Sequence, residues 1–228
     1  MSLRLTRRVA CCWAVGLGLL VLIASASASS PTPSALESNP EGWIDLLAQP
    51  DLRDWQRARF PANKPLGEVN PWSLTPDGIL RCEATGIHEM LLHRTPRTDG
   101  ILHVEWRYVG DSPKPNSGVF VRTLPDCSSW FQAQLATSGL GMIFGYAPGA
   151  EGKPVRHTAG ARLPELQRPA GEWNALELTC RGHVITLWIN GRVVAELTNC
   201  PTSTGQVGLE AEFHPVEFRQ IKFLPLHP

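Results

Sequence analysis

At 228 residues the chain holds one sizeable domain or two small ones. A formal net charge of +0 excludes the strongly basic surface with which proteins grip nucleic acid or anionic membranes. The apolar fraction, 43%, is ordinary for a globular protein, and 20 Gly with 20 Pro suit many turns between short strands better than helices.

The chain opens on Arg4, Arg7 and Arg8, an apolar run from Val9 to Ile23, and the small-residue stretch Ala24 to Ser29. That order is the charged, apolar and cleavage regions of a secretory signal peptide, placed at 1–28. The run falls short of the roughly twenty apolar residues that span a bilayer. Export with no stable membrane anchor after cleavage is therefore expected, to a periplasmic, cell-surface or extracellular address. Residues 29–40, rich in Ser, Pro and Ala, read as a linker with no reason to fold. The remainder, 41–228, reads as one domain.

Helical periodicity is nearly absent there, while alternation at period two recurs. Strands are expected at Gly78–Ala84, Ile101–Val109, Gly118–Leu124, Trp130–Ala136, Trp173–Cys180, Gln206–Phe213 and Val216–Leu224. The clearest pattern sets Ile185, Leu187 and Ile189 against Thr186, Trp188 and Asn190, and then meets Asn190-Gly191. An Asn-Gly dipeptide between alternating runs predicts a type I′ hairpin, whose central residues both need positive φ. The partner strand follows over Arg192–Thr198. About ten to thirteen strands on this spacing predict an all-β fold of two stacked antiparallel sheets.

Cys82, Cys127, Cys180 and Cys200 remain once the signal is removed. Four cysteines in an oxidising compartment allow three pairings, of which Cys82–Cys127 with Cys180–Cys200 is preferred. No C-x-x-C or Cys/His cluster has metal-ligand spacing, and no Asp/Asn-rich loop offers the six to eight oxygens that Ca²⁺ takes. Neither a metal nor a cofactor is expected.

Six segments in order resemble one family: Gly42 to Trp55; Trp72-Ser73-Leu74 with Asp77 to Leu80; Asn116 to Arg122 (NSGVFVR); Pro169 to Asn174 (PAGEWN); Leu187 to Val193; and Gly208-Leu209-Glu210 with Pro215 to Arg219. Together they are similar to the 3-keto-disaccharide hydrolase domain family across about 41–226. The resemblance implies a concanavalin A-like jelly-roll sandwich and a carbohydrate partner, an oxidised disaccharide or glycoside. It also implies cleavage of a glycosidic bond beside a 3-keto group. The carbonyl acidifies the C2 proton, so a base can remove it and expel the glycosidic oxygen, with water adding later. That chemistry needs a base, a donor to the ketone oxygen and an acid for the leaving group.

In a jelly roll one sheet presents a solvated face, and alternation sorts residues onto it. Trp130, Gln132 and Gln134 alternate with core-like Phe131, Ala133 and Leu135, placing an indole and two amides on one face as a sugar site requires. The same sorting puts Phe120 and Arg122 opposite Val119 and Val121, and sets Glu105 opposite Val104 and Trp106. Arg122 would clamp a hydroxyl or keto oxygen, or form an ion pair with Glu105. Glu210 and Glu212 share a face, and i, i+2 residues on a strand lie about 7 Å apart, within the span of paired glycosidase carboxylates. The catalytic set is thus Glu105, Arg122, Glu210 and Glu212, and the substrate-binding set Phe120, Trp130, Gln132 and Gln134. His88, His93 and His157 are further acid–base candidates.

Two positions depart from the family pattern. Gln132 stands where many members carry an acid, and Glu212 where many carry a histidine. A glutamine is no general base near neutrality, so the proton work lies on another residue, or this member holds sugar without cutting it.

Overall fold

A computed structural model describes residues 31–83, 85, 86, 88–110 and 114–226. The expected signal peptide, 1–28, lies outside the described residues. Fifteen strands occur among them: β1 (Ile44–Asp45), β2 (Trp55–Arg59), β3 (Trp72–Leu74), β4 (Leu80–Cys82), β5 (Glu89–His93), β6 (Gly100–Tyr108), β7 (Gly118–Thr123), β8 (Trp130–Gln134), β9 (Met142–Pro148), β10 (Pro154–Gly160), β11 (Asn174–Arg181), β12 (Val184–Ile189), β13 (Arg192–Leu197), β14 (Gln206–Ala211) and β15 (Val216–Pro225). They form two antiparallel sheets. One runs β13-β12-β11-β6-β15-β4-β3 with β1 beside β15, and the other β10-β9-β8-β7-β14-β5-β2. This is the two-sheet antiparallel sandwich that the alternation predicts and the jelly roll that the resemblance implies.

The core lies between the sheets because each strand buries one alternate set. Val104 and Trp106 of β6, with Leu176 and Leu178 of β11, meet Val119 of β7 and Leu209 of β14. A second apolar cluster sits elsewhere. Phe120, Met90 and Leu92 project from the opposite face of the seven-stranded sheet and are covered by Phe60 and Cys127.

The expected hairpin joins β12 to β13 with Asn190 at φ 44° and Gly191 at φ 98°, the two positive angles a type I′ turn requires. Two expectations are corrected. Residues 31–40 are not a bare linker. The Thr32 amide donates to the Gly191 carbonyl at 2.8 Å, and the Trp188 indole donates to the Thr32 carbonyl at 3.0 Å. A short helix, α1 (Ala35–Ser38), begins at a capping box of Ser34 and Glu37, and its first amides donate to Glu177. The preferred disulfide pairing also fails, since all four cysteines are free and buried. Cys82 belongs to the main core and Cys127 to the second cluster, so a bond between them would have to bridge separate cores. Burial pushes the Cys82 and Cys180 thiols up to about 12 and Cys127 to about 11, which leaves them inert near neutrality.

Candidate active site on the seven-stranded sheet

Strand β14 keeps its alternation. Val207, Leu209 and Ala211 enter the main core, which turns Glu210 outward, with Glu212 one step past the strand end. Glu210 pairs in register with Met90 of β5, so the residue before β5, His88, comes level with Glu212. On the other side, β7 pairs with both β14 and β8. Gly118 faces Gln134 in that register, and its missing side chain is what lets Gln132 cross. A Cβ at Gly118 would stand 1.9 Å from the Gln132 amide nitrogen.

The result is a polar cluster on the outward face. His88 Nε2 lies 2.6 Å from Glu210 Oε1 and 3.7 Å from Glu212 Oε1. Gln132 Nε2 donates to Glu210 Oε2 at 2.7 Å, and Asn116 Nδ2 donates to Glu212 Oε2. Ser117 Oγ donates to the Glu210 carbonyl at 2.8 Å, pinning the strand beneath. The Glu210 side chain is 3% exposed, that of Glu212 14% and that of His88 29%. Burial pushes the Glu210 carboxyl above its ordinary range, against the hydrogen bonds from His88 and Gln132. Burial pulls His88 down, but its bond to Glu210 and the two carboxylate charges outweigh that and leave its pKa raised. Both directions describe a proton held between imidazole and carboxylate.

Beside the cluster lies a groove of about 670 Å³ lined by Asn116, Gln134, Thr137, Ser138 and Arg162 among others. Such a volume suits a small ligand, and its lining offers amides, hydroxyls and a guanidinium for sugar hydroxyls.

The expected site residues divide. Glu210, Glu212, Gln132 and Gln134 come together on this face, with Gln134 Oε1 accepting from the Ala136 amide. Trp130 is half-buried, its ring edge-on to Phe60, Phe120 and Phe144 and tilted to Tyr146. Phe120 is on the expected face but fully buried, so it floors the aromatic cluster and does not reach a ligand.

Arg122 and Glu105 lie elsewhere. Arg122 has φ 53° where the β7–β14 register slips, and a bulge reverses the facing of the residues around it. The side chain turns inward to 2% exposure, beside Leu102, Leu178 and Cys180, and Nη1 donates to the Thr202 carbonyl at 2.8 Å. Glu105 is on β6 in the other sheet. It accepts from Arg219, whose guanidinium lies 4.2 Å over the Trp173 ring. No Arg122–Glu105 pair forms among the described residues. His93 packs against Trp55 and His157 against Phe131, both away from the cluster.

Asn116 is the residue whose part the sequence did not disclose, since it carries only a motif signal. Of the three candidate histidines, His88 is the one that joins the cluster, and sequence alone did not separate it from the other two. The cluster's assembly depends on β5 and β7 flanking β14, a pairing distant in sequence.

Comparison with known proteins agrees with this architecture. A Parabacteroides distasonis protein assigned as a glycosyl hydrolase superposes with a TM-score of 0.59 at 14% identity, over 86% of this chain and 100% of its own. The carbohydrate-binding module CBM66 from Bacillus subtilis gives 0.52 at 13%, over 74% and 93%. The Bacillus licheniformis beta-glucanase gives 0.54 at 11%, over 82% and 99%. At such identities these likenesses show the fold. No curated protein sequence matches the chain. The sequence profile of the 3-keto-alpha-glucoside-1,2-lyase-like domain matches residues 42–224, and the chain belongs to that family.

Proposed function

We propose that the outward face of the seven-stranded sheet binds a glycoside oxidised at C3, and that the His88–Glu210–Glu212 cluster performs the proton transfers that release its aglycone. The observation that carries this reading is the cluster itself: a buried carboxylate bonded to an imidazole and an amide, with a second carboxylate alongside, at the edge of a groove.

The reaction is an elimination. A base removes the C2 proton, and the electron pair becomes an enolate with the 3-keto oxygen. The enolate then expels the C1 oxygen, which takes a proton, leaving an unsaturated keto sugar and the free aglycone. Water adding to the double bond gives the keto sugar of a net hydrolysis. Glu212, the more exposed carboxylate, is placed to take the C2 proton, and His88 to donate toward developing negative charge. Glu210 orients His88, and Gln132 and Asn116 orient the carboxylates. The family's acid at position 132 is thus replaced by an acid two strands away on β14, in hydrogen-bond contact with Gln132 across β7. We read the protein as exported on the strength of its first 28 residues. N-terminal sequencing of protein from its own secretion route should then begin near Ser29.

A carbohydrate-binding role without cleavage shares the same face, with the half-buried Trp130 and Tyr146 as its apolar wall. The two readings part when the mature protein is incubated with a nitrophenyl 3-keto-glucoside in D₂O. Nitrophenol release with deuterium entering at C2 of unconverted substrate is expected. Saturable binding with neither release nor exchange would leave a binding domain.

A further inference from the structure

The three ligand-type atoms of the cluster converge in a way that proton transfer alone does not demand. His88 Nε2 and carboxylate oxygens of Glu210 and Glu212 all lie within 4.8 Å of one another. Two ligands at right angles around a cation with bonds of about 2.1 Å stand about 3 Å apart. The observed separations, 2.6 Å from His88 to Glu210 and 3.7 Å to Glu212, straddle that value, so small side-chain rotations would bring the three atoms into one ligand face.

What stands behind these atoms points the same way. Each carboxylate offers one oxygen to the cluster and has its other oxygen held by an amide, Glu210 Oε2 by Gln132 and Glu212 Oε2 by Asn116. Supporting hydrogen bonds of that kind orient metal-binding carboxylates. The other end of the Asn116 amide, Oδ1, is buried with no hydrogen-bond partner, an unspent oxygen donor beside Glu212. Buried acceptors are rarely left unpaired without a reason. Nothing in the sequence spacing announces this set, because its members stand before β5 and on and just past β14.

We propose that His88, Glu210 and Glu212 bind one divalent first-row cation, Mn²⁺ or Zn²⁺, with open positions toward the groove for oxygens of the sugar. One imidazole with two carboxylates on one side of an ion suits these cations, while the all-oxygen sets that Ca²⁺ and Mg²⁺ favour are a poorer match. The ligand assignment stands on geometry, while its place in catalysis rests on the function proposed above. With the ion held, His88 Nε2 would carry the cation in place of a proton, and the cation would take over from His88 the stabilisation of the enolate at the 3-keto oxygen, as a bound Lewis acid does.

The test is titration of the chelator-treated, full mature protein with Mn²⁺ and separately with Zn²⁺. Calorimetry and, for Mn²⁺, the electron paramagnetic signal of the free ion provide the readouts. One ion per chain is expected, with affinity falling at least about tenfold in Glu212→Gln and in His88→Gln, the loss typical when a metal site is disturbed. Glu105→Gln, on the other sheet, should leave binding unchanged. Glu212 and His88 are partly exposed, so their variants should fold, and thermal melts of each confirm it. Absence of saturable binding of either ion, or equal binding by wild type and both variants, would overturn the site. Cation binding without turnover of a 3-keto-glucoside would remove the proposed activity and leave the site standing. Undiminished turnover by protein stripped of cation, with no binding on titration, would do the reverse.

Discussion

Glu210 shows how a single side chain depends on its neighbours. Its carboxylate is buried, and burying a charge is tolerated only when each oxygen finds a donor. His88 and Gln132 supply those donors, and Gln132 reaches across only because Gly118 has no Cβ. Gly118→Ala should therefore displace the Gln132 amide. Loss of the charge-assisted bond costs about 1.5–3 kcal/mol, read as a lower urea midpoint, together with slower nitrophenol release. Unchanged stability and rate in this variant would mean that Gln132 does not hold Glu210. Gln132→Glu tests the same contact from the other side. A second carboxylate against Glu210 replaces a donor with a like charge, so the variant should lose stability and regain it only on acidification. Arg122 teaches a complementary lesson. Its residue type suggested a clamp for sugar oxygens, but one left-handed backbone angle sends it inward to the Thr202 carbonyl.

At the scale of the element, the outer face of the eight-stranded sheet is organised around Glu177 of β11. Its carboxylate accepts from the Ala35 and Leu36 amides at the start of α1 and lies 3.0 Å from His103 Nδ1. Amides at a helix start favour a negative partner, so Glu177 is the anchor of residues 31–40. Glu177→Gln should expose that segment to limited proteolysis while leaving sugar turnover intact; resistance equal to wild type would show that other contacts suffice. His103 adds a pH dependence. Burial pulls its pKa down, but the hydrogen bond to Glu177 and the carboxylate charges of Glu177 and of Glu105, 3.9 Å from Nε2, raise it above the ordinary value. Lys222 is its neighbour in register, and the Trp43 ring meets it edge-on. A raised pKa means the folded state holds the proton more tightly. The stabilisation is therefore complete below the unfolded value near 6.5 and is lost as pH rises through the folded value. Urea unfolding across pH 6 to 9 should show wild type losing stability relative to His103→Gln. Parallel profiles would assign the slope to other groups.

Over the whole molecule, the sandwich keeps two polar surfaces apart, one on the outside of each sheet. Alternation made the strands of both sheets readable, and the Asn190-Gly191 turn fixed the register of one hairpin before any coordinates. It also sorted Gln132, Glu210 and Glu212 correctly, because β8 and β14 hold regular pleats there. It could not tell which sheet a strand joins, so Glu105 was grouped with residues on the other side of the core. It failed at Arg122, where a bulge resets the facing, and it could not single out His88 from the other candidates His93 and His157, because strand β5 meets β14 across more than a hundred residues of chain. Strands β1, β2, β3, β5 and the β9–β10 hairpin escaped too: β1 and β3 have two or three residues, β5 is buried at every position and so shows no alternation, and β10 is largely exposed. The central claim is that carbohydrate chemistry occurs on the seven-stranded sheet at Glu210 and not on the opposite surface at Glu105. Side-by-side turnover of a 3-keto-glucoside by wild type, Glu210→Gln and Glu105→Gln tests it most directly. The account predicts that Glu210→Gln falls by about 10²-fold or more, the scale of a lost acid–base partner, while Glu105→Gln stays close to wild type. Retained activity in Glu210→Gln, or a loss confined to Glu105→Gln, would contradict it.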